Sequence, residues 1–368
     1  MINRDDAVRL AEQATLGSLL YRPQATADVG TWLRPGDFAD LWHAHVYRVI
    51  HEHHLAGKPL TAQDLGAQMV GDLGPRRADI VRIHDLLAAA PTSPEPAVYA
   101  RMVLDAGLRR EVAGLGVLMR AGALQSALSG GPAPVVNCSG LVDAGLDSCA
   151  TRWARATGEP AGYPEPPARL RAALSSRDLR LSADKYLRLH PRRDQVAEHA
   201  HEAALVGALI AHPAAIGSVA AWLPPGYVVT PIWRTVYAAT VELSELGQPV
   251  DLVTVTAATR RLGHHLPCPS LPNLREAVDS GRLIHPRRAA GDVAADQVQR
   301  IADNGAGQLL AGADNPGLRI GDLVDTGHIV TGALRRIAHE LPHALARPGR
   351  PALTVVPELE PAPQAVGQ

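Results

Sequence analysis

The densest cluster of potential metal ligands is HAHVYRVIHEHH, residues 43–54, with five histidines in twelve positions. On a helix, such a site needs a His pair at i,i+4 and a further ligand. His43 and His51 share a face with Tyr47 between them, but stand two turns apart; His54 lies near that face. The expectation is a solvated polar face and no metal. HHLPC (264–268) is a weaker group, in a loop. No Ser/His/Asp or Cys/His arrangement occurs in a context that would position a nucleophile. A nucleotide motor needs GxxxxGK(S/T), whose backbone amides and lysine hold the phosphates. The chain has only two lysines: Lys58 precedes Pro59, and Lys185 sits in ADKY. Neither fits. The chain is expected to have no catalytic residues and no cofactor.

The remaining chemistry belongs to arginine. Arg177, Arg180, Arg188, Arg192 and Arg193 fall in one central segment and are candidate contacts to DNA phosphates. Asp178, Asp184 and Asp194 dilute that charge, so a solvated basic linker is the favoured reading. Arg109-Arg110 and Arg335-Arg336 lie on long helical stretches, where arginine is also tolerated near a C-terminus for dipole reasons.

A formal charge of -1 over 368 residues argues against a protein that coats nucleic acid. The shortage of lysine beside so much arginine, Ala, Gly and Pro points to a GC-rich genome. Cys138, Cys149 and Cys268 form no CxxC pair, which fits a reducing cytoplasm. MINRDDAVRL has no apolar core of a secretory signal. Residues 203–233 carry no Asp, Glu, Lys or Arg, but His212-Pro213 and LPPG break the run into two short helices, so no membrane span is expected.

The elements that position these residues are written twice. AEQATLGSLL (11–20) and HEAALVGALI (201–210) keep Glu12 with Glu202, Gly17 with Gly207 and Leu19 with Leu209. At the same offset of 190, WLRPG (32–36) meets WLPPG (222–226), Val46-Tyr47 meets Val236-Tyr237, and GKP (57–59) meets GQP (247–249). LVDAG (141–145) matches LVDTG (323–327) at an offset of 182. Ala-rich sequence does not keep Trp, Tyr, Pro and Gly together by chance. Where copy 1 has His43, His45, His51 and His53, copy 2 has Trp233, Thr235, Val241 and Leu243, which also weakens a metal reading. Each copy reads as all-helical: 3.6-residue periodicity, Thr61 and Asp251 as matching N-caps, and Gly/Pro stops. RADIVRIHDLLAAA (77–90) reads as one helix, followed by helices from about Pro96 to Gln125 and Leu141 to Arg155. Trp32, Trp222, Tyr47 and Tyr237 read as core or near-core aromatics.

These motifs resemble the N-terminal domain of the DnaB-type replicative helicases. That domain opens AEQ-x-x-LG, continues through a DF step and a helix closed by G-x-P, and ends in a P-(S/T)…Y-A segment leading to basic pairs. Copy 1 has AEQATLG, WLRPGDF, GKPL and LAAAPTSPEPAVYARMVLDAGLRR (87–110); copy 2 has HEAALVGALI and GQPVDLVTV (247–255), then AADQVQRIA (294–302) without the Tyr. The resemblance implies an all-α fold of two tandem domains, each a small helical globule plus a helical hairpin. The domains are expected at residues 1–157 and 197–345, with a Pro-rich then basic linker at 158–196 and a disordered Pro-rich tail at 346–368. It also implies hairpins that dimerise, here docked on one another within the chain. Tyr99, Arg109, Arg110, Leu141, Leu323, Arg335 and Arg336 are the candidate partner surface. The implied function is a non-catalytic, cytoplasmic DNA-replication accessory that binds the replicative helicase or its primase. DNA binding through the central segment and a purely structural oligomer are the alternatives.

Overall fold

The structure, a computed structural model, describes residues 4–160, 162–167, 169–170, 174, 177–190, 193–263 and 268–340. These residues are helices and turns, with no strand among them. Copy 1 begins with α1 (Arg4–Tyr21), α2 (Thr26–Val29), α3 (Leu41–Leu55), α4 (Ala62–Leu73), α5 (Pro75–Ala78) and α6 (Ile80–Ala89). A hairpin of α7 (Pro96–Ser129) and α8 (Ala133–Thr157) follows. The central helix is α9 (Arg177–Leu189). Copy 2 comprises α10 (Gln195–Ala211), α11 (Ile216–Ala220), α12 (Pro231–Glu245), α13 (Leu252–Leu262) and α14 (Leu271–Gly281). Its own hairpin is α15 (Pro286–Asp314) with α16 (Ile320–Glu340), although it lacks the Tyr of copy 1.

Local signals set these boundaries. Asp40 caps α3 by accepting from the Trp42 and His43 amides, and Thr61 and Asp251 start α4 and α13 as capping boxes. The helix expected over 77–90 breaks at Asp79, whose φ of 43° is left-handed, giving α5 and α6 instead. The hairpin helices run further than their periodicity suggests, because Gly130, at φ 72°, turns the chain at once. At His212-Pro213 the helix pair of copy 2 bends by 109°. Among the described residues only α7 is by itself long and apolar enough to cross a membrane, and 56% of that window is buried within the protein.

The chain forms two compact units that mix the copies. Of the described residues, the first holds those within 4–115, 143–177 and 308–328, and the second those within 116–142, 178–307 and 329–340. Each unit therefore joins the short helices of one copy to segments of all four hairpin helices.

The retained residues explain each head. A Cβ on Gly17 would lie 2.0 Å from the Leu86 carbonyl oxygen, and one on Gly207 would lie 1.9 Å from that of Ala277. Only glycine lets α1 cross α6, or α10 cross α14, at that distance. The Tyr47 hydroxyl donates to the Leu33 carbonyl at 3.3 Å, and Tyr237 donates to Leu223 at 2.6 Å. The Glu12 carboxylate accepts from the Ala39 amide at 2.5 Å; Glu202 accepts from the Val229 amide at 2.6 Å and from Thr230 at 3.1 Å. One buried carboxylate thus holds the loop before the third helix in each copy. Trp32 is buried and Trp222 half-buried.

The expected solvated histidine face is corrected. His43 is fully buried, with Nδ1 2.8 Å from Glu12 and Nε2 accepting from Arg82 at 3.2 Å. The Nδ1 proton therefore goes to Glu12. His45, His51, His53 and His54 are all part-buried. Among the described residues no group of His, Cys, Asp or Glu is arranged to hold a metal ion.

Candidate functional site

In the first unit, α7 meets the turn between α15 and α16 through Arg109. This side chain is 5% exposed and donates to the carbonyls of Asn315 and Leu318, both at 2.7 Å. Asp105, one turn earlier, accepts from its Nε at 2.8 Å. The guanidinium fork thus grips the backbone of the turn that joins α15 to α16. On α8, Arg152 binds the head: it donates to the Trp32 carbonyl at 2.9 Å, to Glu111 at 3.2 Å, and to the Asp37 carboxylate. In copy 2 Gln297 donates to the carbonyl of Tyr227, the residue at the place of Asp37, and Arg300 lies 3.6 Å from Glu198 of the head.

The paired LVDAG and LVDTG motifs meet around His328. Its Nδ1 lies 3.1 Å from Asp143 and its Nε2 3.1 Å from Asp147. The Tyr163 ring stacks on it at 4.9 Å, and the Tyr163 hydroxyl donates to Asp325 at 2.5 Å. The hydrogen bond to Asp143 raises the His328 pKa, and the charges of both aspartates add to that. Burial raises the Asp147 pKa. The bond to Asp325 pushes Tyr163 up to about 12. Gly145 and Gly327 are retained for space: Leu115 and Leu146, respectively, come within 2.7 and 2.5 Å of where a Cβ would stand.

In the second unit the tip of α7 lies against α15. Arg120 pairs with Asp303 at 2.7 Å, and a Cβ on Gly116 would sit 3.2 Å from Ala306. In each unit, then, a hairpin segment of one copy packs on a hairpin segment of the other within a single chain.

The sequence-derived candidates divide accordingly. Arg193 pairs with Glu198 and approaches Asp303 at 3.9 Å. Arg188 is exposed and pairs with Asp184, while Arg180 lies part-buried on α9. Arg177 begins α9, and Arg192 lies outside the described residues, as do residues 264–267 and the tail from 341 onward. Leu141 and Leu323 are buried, so they belong to the packed interior rather than to an outward partner surface. Tyr99 and Arg335 are part-buried; Arg110 and Arg336 are exposed, and Arg110 donates to the Asp37 carbonyl. An open groove of about 560 Å³ in the first unit is lined by Val8, Arg9, Ala106, Arg110, Ala113 and Leu310, among others. Sequence reasoning missed His328, Asp147 and Tyr163, although the matched Asp143 and Asp325 marked the place.

Residues 7–105 and 194–267 match the family model described as DnaB-like helicase N terminal domain. Among curated proteins, the replicative DNA helicase DnaB of Mycobacterium leprae (strain TN) is 33% identical over 108 residues. That stretch is 28% of this chain and 17% of that protein, so the chain spans only a small part of its relative's length. No solved structure matches. The match is to the non-motor domain alone, and no motor domain is evident. The chain thus carries two segments in tandem, each similar to the DnaB-like helicase N-terminal domain.

Proposed function

We propose that the chain is a non-catalytic accessory of DNA replication, acting in the cytoplasm, that engages a DnaB-type replicative helicase or its primase. The observation that carries this reading is the tandem helicase-type domain whose hairpins are already packed on one another inside one chain. A partner is then met by surfaces other than the packed hairpin faces. Val98 and Met102 lie one turn apart on α7, exposed to 38% and 55%. Together with the Ala-lined groove beside Arg110, they offer apolar contact with an edge of mixed charge, where Arg9 and Arg110 stand among Asp5, Asp40 and Asp314. Loader, adaptor and inhibitor are all compatible with this surface.

Light scattering after size exclusion tests the proposal, with the chain mixed first with the helicase of the same cell and then with its primase. A shared peak of defined mass is the expected result, and Met102→Glu should abolish it. Separate elution from both refutes the reading. DNA binding through the central segment has less support, because Arg188 on α9 and Arg193 beyond it pair with acidic partners.

A further inference from the structure

The two copies differ most in chemistry at the turn that enters the hairpin. In copy 1 this turn is PTSPEP, and Glu95 lies 3.9 Å from Arg22. At an offset of 190 those two positions become His285 and His212. Around them copy 2 writes RLIHPRR, residues 282–288. An opposite-charge pair has been replaced by two imidazoles flanked by three arginines.

The structure presents these groups together. In the second unit an open pocket of about 380 Å³ is lined by His212, Arg282, Leu283, Ile284 and His285, with neighbouring alanines and Pro286. Arg282, Arg287 and Arg288 are all exposed. Among the described residues no ion pair involves Arg287 or Arg288; Arg282 has only Asp279, at 3.7 Å and itself exposed. His285 Nδ1 accepts from the Arg287 amide at 3.3 Å, which leaves Nε2 as the donor of that ring. Leu283 stands 91% exposed beside them.

Arg282 follows the last residue of α14, where a cation suits that helix's dipole, but folding does not explain Arg287 and Arg288. Arg287 and Arg288 lie in the first turn of α15, a 29-residue helix with no acid there. That is the positive end of its dipole, where acidic residues are favoured and arginines are not. Copy 1 has Ala97 and Val98 at these places. An anion satisfies both the arginines and the helix terminus. We propose that the 282–288 turn of copy 2, with His212, is a binding site for the phosphate backbone of single-stranded nucleic acid. Several guanidinium groups spaced along an exposed turn suit successive phosphates, and Leu283 can lie against a sugar or base. The proposal does not depend on a helicase or primase partner.

The test is fluorescence anisotropy of labelled oligo-dT with the full chain at about 50 and 200 mM salt. Wild type is expected to bind with a clear salt dependence. Replacing all three arginines (R282E/R287E/R288E) should weaken binding roughly 10–100-fold at low salt and reduce the log–log slope by about 2. R282Q/R287Q/R288Q should weaken it less, in the same direction, with the helical circular dichroism unchanged for both. K185E/R188E on α9 should leave binding as it is. The proposal is overturned if wild type does not bind at low salt, or if the α9 variant carries the loss. It is also overturned if inorganic pyrophosphate competes as well, per phosphate, as oligo-dT.

Discussion

Arg109→Met is the sharpest test of the hairpin packing. Methionine keeps most of the buried stem but removes the charged donors to the Asn315 and Leu318 carbonyls. Hydrogen bonds from a charged group contribute about 1.5–3 kcal/mol each, and water can replace part of that at the exposed Asn315, so the loss should be roughly 2–4 kcal/mol. Asp105 is one-third exposed and adds little once its partner is gone. The assay is urea unfolding of the full chain together with hydrogen exchange at the Asn315 and Leu318 amides, which close the turn. The variant should shift the midpoint and speed exchange in that turn before elsewhere. Arg110→Met, one residue along and exposed, loses one solvent-screened bond to the Asp37 carbonyl and should cost only about 1 kcal/mol. If both variants cost the same small amount and the turn amides keep their protection, Arg109 does not hold the hairpins and the reasoning fails.

Three further outcomes follow from the same structure. Gly17→Ala and Gly207→Ala drive a Cβ into a backbone carbonyl, so each should destabilise by about 3 kcal/mol or more, whereas Gly36→Ala, with nothing near, should be close to neutral; equal melting temperatures for all three would contradict this. Because the folded His328 pKa is raised, its contribution is complete below the unfolded value of about 6.5 and is lost as pH rises through the folded value. Burial raises Asp147 in the same sense, over a more acidic range. His328→Gln should therefore flatten the fall in stability above about pH 6.5, and an unchanged pH profile would remove the cluster from the account. Glu202→Gln weakens the acceptor of the Val229 and Thr230 amides and should cost roughly 1–2 kcal/mol by thermal melt; a neutral result would deny the carboxylate its role.

Much of the fold was legible because the retained residues answer steric and hydrogen-bonding needs within one copy. Gly17 and Gly207 permit a crossing, Tyr47 and Tyr237 reach a carbonyl fourteen residues back, and Thr61 and Asp251 cap the same helix. Other features could not be read locally. The histidine segment reads as polar, and only the fold brings Glu12 and Arg82 to His43. Arg109 and Arg110 are indistinguishable as a basic pair; helical phase turns one into the interior and the other outward. The second hairpin forms without the tyrosine signature: a buried Ala289 stands at the place of Tyr99, and further along a Cβ on Gly305 would meet Val330 at 2.2 Å. The charge change at 282–288 was visible in the letters, but its meaning waited on knowing that it opens a long helix.

The packing of hairpin on hairpin inside one polypeptide has an evolutionary consequence. When two identical chains meet about a two-fold axis, every substitution appears at both ends of the contact and must be tolerated twice. Fusion of the copies removes that bond between their fates. Asp37 with Arg152 could persist on one side while Tyr227 and Gln297 took over the corresponding place on the other. An acid–base pair could likewise drift into a cluster of histidines and arginines without its twin following. A duplicated domain that meets itself is free to become two different surfaces.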